Sequence, residues 1–124
     1  MKIRHVLCLA AAMGACSGAA FAHHAFNMYD AAVFRSVDGV VTSYTWSNPH
    51  TMVEFTVPDA SGASQTWTAE CSPINMLGRK GWSSRSLAVG DKVKFVVHPN
   101  KANEKYGLLV SATKADGSIL KDKD

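Results

Sequence analysis

The chain has 124 residues, with 13 Lys plus Arg against 10 Asp plus Glu, 47% hydrophobic residues and three cysteines. Its formal net charge is only +3, and two of the basic residues, Lys2 and Arg4, sit in the first four positions. That balance gives no electrostatic case for a nucleic acid or an anionic membrane as partner, and the length suits one small domain with a single core.

Lys2 and Arg4 precede a ten-residue apolar run, "VLCLAAAMGA" (Val6 to Ala15), and "AFA" (Ala20 to Ala22) places Ala at positions −3 and −1 of a signal-peptidase site. This is the pattern of a secretory signal peptide, here residues 1–22, and the apolar run is too short to span a bilayer. "MGAC" (Met13 to Cys16) offers a competing lipoprotein box that would end at a lipidated Cys16, but Met and Gly fit its two leading positions poorly. Cleavage after Ala22 is the expectation, with a periplasmic or secreted protein that begins at His23. Removing 22 of 124 residues leaves 102, with 11 basic against 10 acidic residues. Cys8 and Cys16 leave with the leader, and Cys71 alone can form no internal disulfide.

Residues 23–32, "HHAFNMYDAA", show no clean period and read as an N-terminal arm. From Val33 the chain alternates and is rich in Val, Thr, Phe, Tyr and Trp, the composition of strands. The first strand is expected over about Val33 to Trp46, with Gly39 marking a bulge or sharp coil. "SNP" (Ser47 to Pro49) turns the chain into a second strand from about His50 to Val57. Val53, Phe55 and Val57 share one face of it; His50, Met52, Glu54 and Thr56 share the other. After the hairpin loop "PDASGAS", the strand "QTWTAEC" puts Trp67, Ala69 and Cys71 on one face and Glu70 opposite. Ser72 as N-cap and Pro73 at the first helical position predict a short helix that stops at Gly81. A fourth strand within "VGDKVKFVVHP" turns Val93, Phe95 and Val97 inward. "YGLLVSATK" is the fifth, "ADG" turns into a last short segment, and "KDKD" (121–124) reads as a frayed tail.

Three strands, a short helix and two further strands make the order of a five-stranded Greek-key barrel of the OB type, with its helix between strands 3 and 4. The expected barrel domain spans residues 33–120. An open sandwich of the same strands is the competing architecture.

Signatures of catalysis are missing from the motifs: there is no glycine-rich phosphate loop, no nucleophile elbow and no helical zinc-protease His pair. Glu54 and Glu70 could neighbour each other across strands 2 and 3, but scattered exposed carboxylates are usually just solvated. Histidine carries more information. The mature chain has four, His23, His24, His50 and His98. As a new N-terminus, His23 can chelate a metal through its amine, whose intrinsic pKa is about 7.7–8.0, together with its ring nitrogen. A further imidazole opposite completes a tetragonal nitrogen set that suits Cu(II). His50 and His98, both beside proline at strand ends, are the candidates for that position, and His24 is an adjacent one. Met52 and Glu70 could serve as axial or supporting groups. Against this, a terminal His-His can be an incidental product of cleavage, and a strand-end His often only bonds a turn carbonyl.

The segments "HHAFNMYD", "VDGVVTSYTWSNPH", "CSPINMLGRKGW" and "VGDKVKFVVHP" closely resemble those of a family of small secreted bacterial proteins, domain of unknown function 6152. The resemblance covers essentially the whole mature chain and implies secretion and this fold. It raises the metal reading, since the matched motifs hold all four mature histidines. The helix departs from the family by one residue, opening Ser72-Pro73-Ile74-Asn75 in place of Ser-Pro-Asn. As a site, the terminal amine plus His is also similar to copper sites in copper-resistance periplasmic carriers and lytic polysaccharide monooxygenases; that is analogy, not homology.

The expected function is therefore a periplasmic OB-like barrel that binds copper as a carrier or sensor, and not as a catalyst. A second expectation, from a different class, is a metal-free module that holds a partner protein or glycan on an aromatic face including Trp46 and Trp82. No stable membrane insertion is expected.

Overall fold

The computed structural model describes residues 27–123. The expected leader and cleavage site, with His23 and His24, lie outside the described residues. Six strands and one helix follow in the order β1 (Arg35–Thr45), β2 (Met52–Pro58), β3 (Ser64–Glu70), α1 (Ile74–Arg79), β4 (Lys92–Pro99), β5 (Tyr106–Lys114) and β6 (Ile119–Lys121).

Antiparallel pairings run β3-β2-β1-β4-β5, and a parallel pairing of β3 with β5 closes the first five strands into a barrel. That closure decides against the open sandwich. The order and the position of the helix are those of an OB-type barrel. β6 adds to the outer edge of β5. Among the described residues no helix is long and apolar enough to cross a membrane.

The core follows from alternation. Val37 and Val41 of β1, Val53 and Phe55 of β2, Ala69 of β3, Val93, Phe95 and Val97 of β4, and Leu109 and Ala112 of β5 all turn inward and are buried. The Phe55 and Phe95 rings stack at 4.0 Å at the centre. β1 does carry a bulge, but the register shifts between Val41 and Ser43 and not at Gly39. Gly39 is there for another reason: a Cβ at that position would lie 2.4 Å from Phe55 Cδ2.

α1 has one buried side chain, Leu77, in the same core. Ser72 does not cap it. Pro73 occupies the N-cap position, and the side chain that reaches the open helix start is Asn48, whose Oδ1 accepts the Ile74 N–H at 3.2 Å. The helix thus borrows its cap from the turn between β1 and β2. Gly81, at φ +88°, ends it in the left-handed conformation. Trp82 then folds back, 3% exposed, with its Nε1–H donated to Lys121 O at 2.9 Å.

The chain end is tied down from residue 121 to 123, contrary to the frayed tail expected there. A second register shift, in the β4–β5 pairing, leaves Val110 out of the ladder, and its carbonyl accepts the N–H groups of Asp122 and Lys123. Asp122, only 1% exposed, accepts the Ser72 N–H on Oδ2 at 2.8 Å, and its carbonyl accepts from Lys80 Nζ. Lys123 Nζ donates to Ser72 Oγ at 2.8 Å. Ser72 is buried because the chain end covers it, which is what its position before Pro73 serves.

Candidate functional site

Strand pairing aligns Met52 with Glu70, Glu70 with Leu108, and Leu108 with His98. Their neighbours Val53, Ala69 and Val97 point into the core, so this row runs across the outer face of the barrel. Two loops flank it. The turn 46–51, between β1 and β2, brings His50; the loop 100–105, between β4 and β5, brings Asn100 and Asn103. OB barrels commonly bind ligands on this face and between these two loops.

Glu70 is the hub. Its Oε2 accepts the phenolic O–H of Tyr29 at 2.5 Å and of Tyr106 at 3.1 Å. Its Oε1 lies 3.3 Å from His50 Nδ1. The His50 nitrogen is also 3.3 Å from the Cys71 carbonyl oxygen. Both neighbours of Nδ1 are acceptors, so Nδ1 carries the hydrogen, and in the neutral ring the lone pair then lies on Nε2. The His50 side chain is about half exposed, at 49%, while that of Glu70 is 20% exposed.

Both tyrosines are held as neutral donors. Burial, reinforced by the hydrogen bond to Glu70, pushes the Tyr29 phenol far above its ordinary range. Burial and the Glu70 charge raise that of Tyr106. Their rings stack with centroids 6.3 Å apart. With Met28, Asn100, Asn103 and Glu70 they line a cleft of about 310 Å³. A larger groove of about 420 Å³ crosses β1, β2, β4 and β5 on another part of the surface. It is walled mainly by apolar strand surface and exposed lysines, and the Glu70 cleft is where buried polar groups converge.

The arm reaches this cleft because it is fastened to the barrel. Tyr29 forms a bridge with Asn100. Asp30 N–H donates to Pro99 O and Lys101 N–H to Met28 O, each at 2.9 Å. Farther along, Val33 O accepts from His98 Nδ1 at 2.8 Å, and the Phe34 ring lies 4.6 Å from the His98 ring. His98 is consequently buried, at 5% exposed. It is occupied as an anchor for the arm, whereas His50 stands open beside Glu70.

The remaining expected residues divide. Met52 is the direct cross-strand partner of Glu70. Glu54 faces Thr68 and not Glu70. Cys71 is buried, and its thiol is pushed well above its ordinary range by burial and by the nearby Asp122 and Glu70 charges. Trp82 belongs to the core, only 3% exposed, and cannot offer its face to a partner. Trp46 is half-buried and packs on the core beside Tyr44, with ring centroids 6.2 Å apart. No aromatic face containing both tryptophans exists. Among the described residues no three His, Cys, Asp or Glu side chains gather as a metal cage.

A model for a family of unknown function, DUF6152, matches residues 11–111. That is most of the chain, and the protein belongs to this family. No curated protein and no solved structure matches it.

Proposed function

We propose that this DUF6152 protein is a secreted, periplasmic barrel that binds a copper ion as a carrier or sensor, with His50 as the barrel's ligand. The observation that carries the reading is the setting of His50. Its Nδ1–H faces the Glu70 carboxylate and the Cys71 carbonyl at 3.3 Å each, while Nε2 remains free on a half-exposed ring. Histidines that ligate metals are typically oriented in this way, with the second ring nitrogen bonded to a carboxylate or carbonyl that fixes the tautomer and raises basicity.

One imidazole is not a site. The further ligands in this reading are the amine and ring of His23, released as the N-terminus by signal cleavage. Four chain steps lead from Asn27 back to His23, a reach of up to about 14 Å at the span of an extended chain. Met28 and Tyr29 line the cleft beside Glu70, which places the start of the described chain on the same side of the barrel as His50's partner. Glu70 supports His50 from behind, Met52 lies beside it as an axial candidate, and His24 is an adjacent donor. His98 fastens the arm that carries the terminus. Three nitrogens, two from His23 and one from His50, suit Cu(II).

The test is Cu(II) affinity, by competition with a chelating dye, for the mature chain that begins at His23. Adding one glycine ahead of His23, or changing His50→Ala, is expected to weaken binding at least tenfold. Equal affinity across the three proteins would overturn the reading. Intact mass of the protein recovered from the periplasm tests the expected 102-residue mature chain at the same time.

A further inference from the structure

The Glu70 carboxylate is held by groups that bring no positive charge. Its two closest donors are neutral phenols, Tyr29 and Tyr106. Its one ion-pair partner among the described residues is His50, charged only when protonated. A partly buried carboxylate ordinarily has a cation beside it. Here the adjoining cleft of about 310 Å³ has no Lys or Arg in its lining. Its walls are instead Tyr29, Tyr106 and Met28, together with Asn100 and Asn103.

We propose that this cleft is a binding site for a small organic ammonium ion, seated on the tyrosine rings with its charge beside Glu70. Three features fit that ligand and one another. Aromatic faces attract a cation through the ring quadrupole, most strongly where water is partly excluded. The methionine side chain is soft and adaptable, and it packs well on alkyl substituents. The tyrosine O–H donors and the stacked rings fix the carboxylate and the walls before any ligand arrives, which lowers the ordering cost of binding. A neutral ligand of the same shape gains only the apolar contact. An anion meets the Glu70 charge.

The site adjoins the metal ligands proposed above and shares Glu70 with His50. His50 and His23 supply those, whereas the ammonium site rests on Tyr29, Glu70 and Tyr106. Failure of one reading therefore leaves the other standing.

Choline and its uncharged carbon isostere, 3,3-dimethylbutanol, are the probes, titrated against the mature protein by two-dimensional amide NMR. Choline is expected to shift the amides of Tyr29, Asn100, Asn103 and Tyr106 and to saturate. The isostere should bind at least tenfold more weakly. Glu70→Gln should weaken choline binding to the metal-free protein at least tenfold. Equal binding of choline and its isostere to the unaltered protein would overturn the proposal, whether or not Glu70→Gln folds. So would choline binding that survives Glu70→Gln unchanged.

Discussion

Gly39→Ala is a single-methyl test of how this barrel is packed. A Cβ at position 39 would lie 2.4 Å from Phe55 Cδ2 and 3.1 Å from the Thr56 carbonyl oxygen, where ordinary contact begins at 3.4 Å. The ring must retreat by about 1 Å. It has nowhere to go, because Phe55 is 0% exposed and stacked on Phe95 at 4.0 Å. Overpacking of this kind costs about 1–3 kcal/mol. Replacing glycine also restricts the unfolded chain, a stabilisation of about 0.4–1 kcal/mol. The steric cost should win, for a net loss of about 1–2 kcal/mol. In a domain of this size that lowers Tm by roughly 5–15 °C. Urea unfolding followed by tryptophan fluorescence measures it. The same geometry predicts a partial rescue: shortening the obstruction with Phe55→Leu should make the double mutant less destabilised than the sum of the single mutants, by about 1 kcal/mol. Were Gly39 needed for its backbone conformation instead, Phe55→Leu would rescue nothing. A stabilised or neutral Gly39→Ala, or strict additivity in the cycle, would refute the packing account.

Two further outcomes follow from the same structure. A chain ending at Lys121 should lose about 1–3 kcal/mol, because the buried Ser72 N–H loses its Asp122 acceptor; an unchanged urea midpoint would mean that the last residues carry no stability. Stability should also fall on the alkaline side. The Tyr29, Tyr44 and Tyr106 phenols and the Cys71 thiol are all raised, chiefly by burial, from reference values of 10.0 and 9.0. The unfolded chain therefore ionises first, and each group's contribution is complete below its unfolded pKa and is lost as pH rises, at up to about 1.4 kcal/mol per pH unit. The urea midpoint should begin to drop near pH 9 and fall steeply beyond pH 10, less so in Tyr29→Phe. A flat midpoint to pH 11.5 would contradict it.

The fold was legible because it is written in short-range patterns. Two-residue alternation through Val53 and Phe55, and through Val93, Phe95 and Val97, marks the inward faces without any knowledge of pairing. Tyr106 to Lys114 was bounded correctly because "NKANEK" and "ADG" punctuate it at both ends. What stayed hidden depends on separations that no local pattern encodes. Tyr29 and Glu70 lie 41 residues apart, and Ser72 and Asp122 lie 50 apart. A charged "KDKD" ending resembles a solvated tail on composition alone. Only the unpaired Val110 carbonyl and the buried Ser72 N–H reveal that it is held. His50 and His98 looked equivalent as strand-end histidines beside proline. The arm distinguishes them, since Val33 and Phe34 cover one and leave the other open. One clue to the hub was available: in an OB barrel β3 closes on β5, which brings the end of one, Glu70, near the start of the other, Tyr106.

The arm gives the site its particular logic. Tyr29 is at once the residue that bridges the arm to Asn100 and the closer of the two donors that hold Glu70. Glu70 in turn faces His50 through its other oxygen. Tyr29 and His50 thus meet on one carboxylate through two contacts, one at each oxygen. A copper ion that draws the terminus toward His50 acts on those contacts from one end, and an ammonium ion beside Glu70 acts on them from the middle. An ammonium charge beside Glu70 and a Cu(II) ion on His50 would repel each other across that carboxylate, so the expected sign of the coupling between the two proposed ligands is antagonistic. Linkage then requires reciprocity: whatever factor choline removes from Cu(II) affinity, Cu(II) must remove from choline affinity. The described contacts thus join the two proposed ligands through one carboxylate, and a factor different from one is what independent sites would not show.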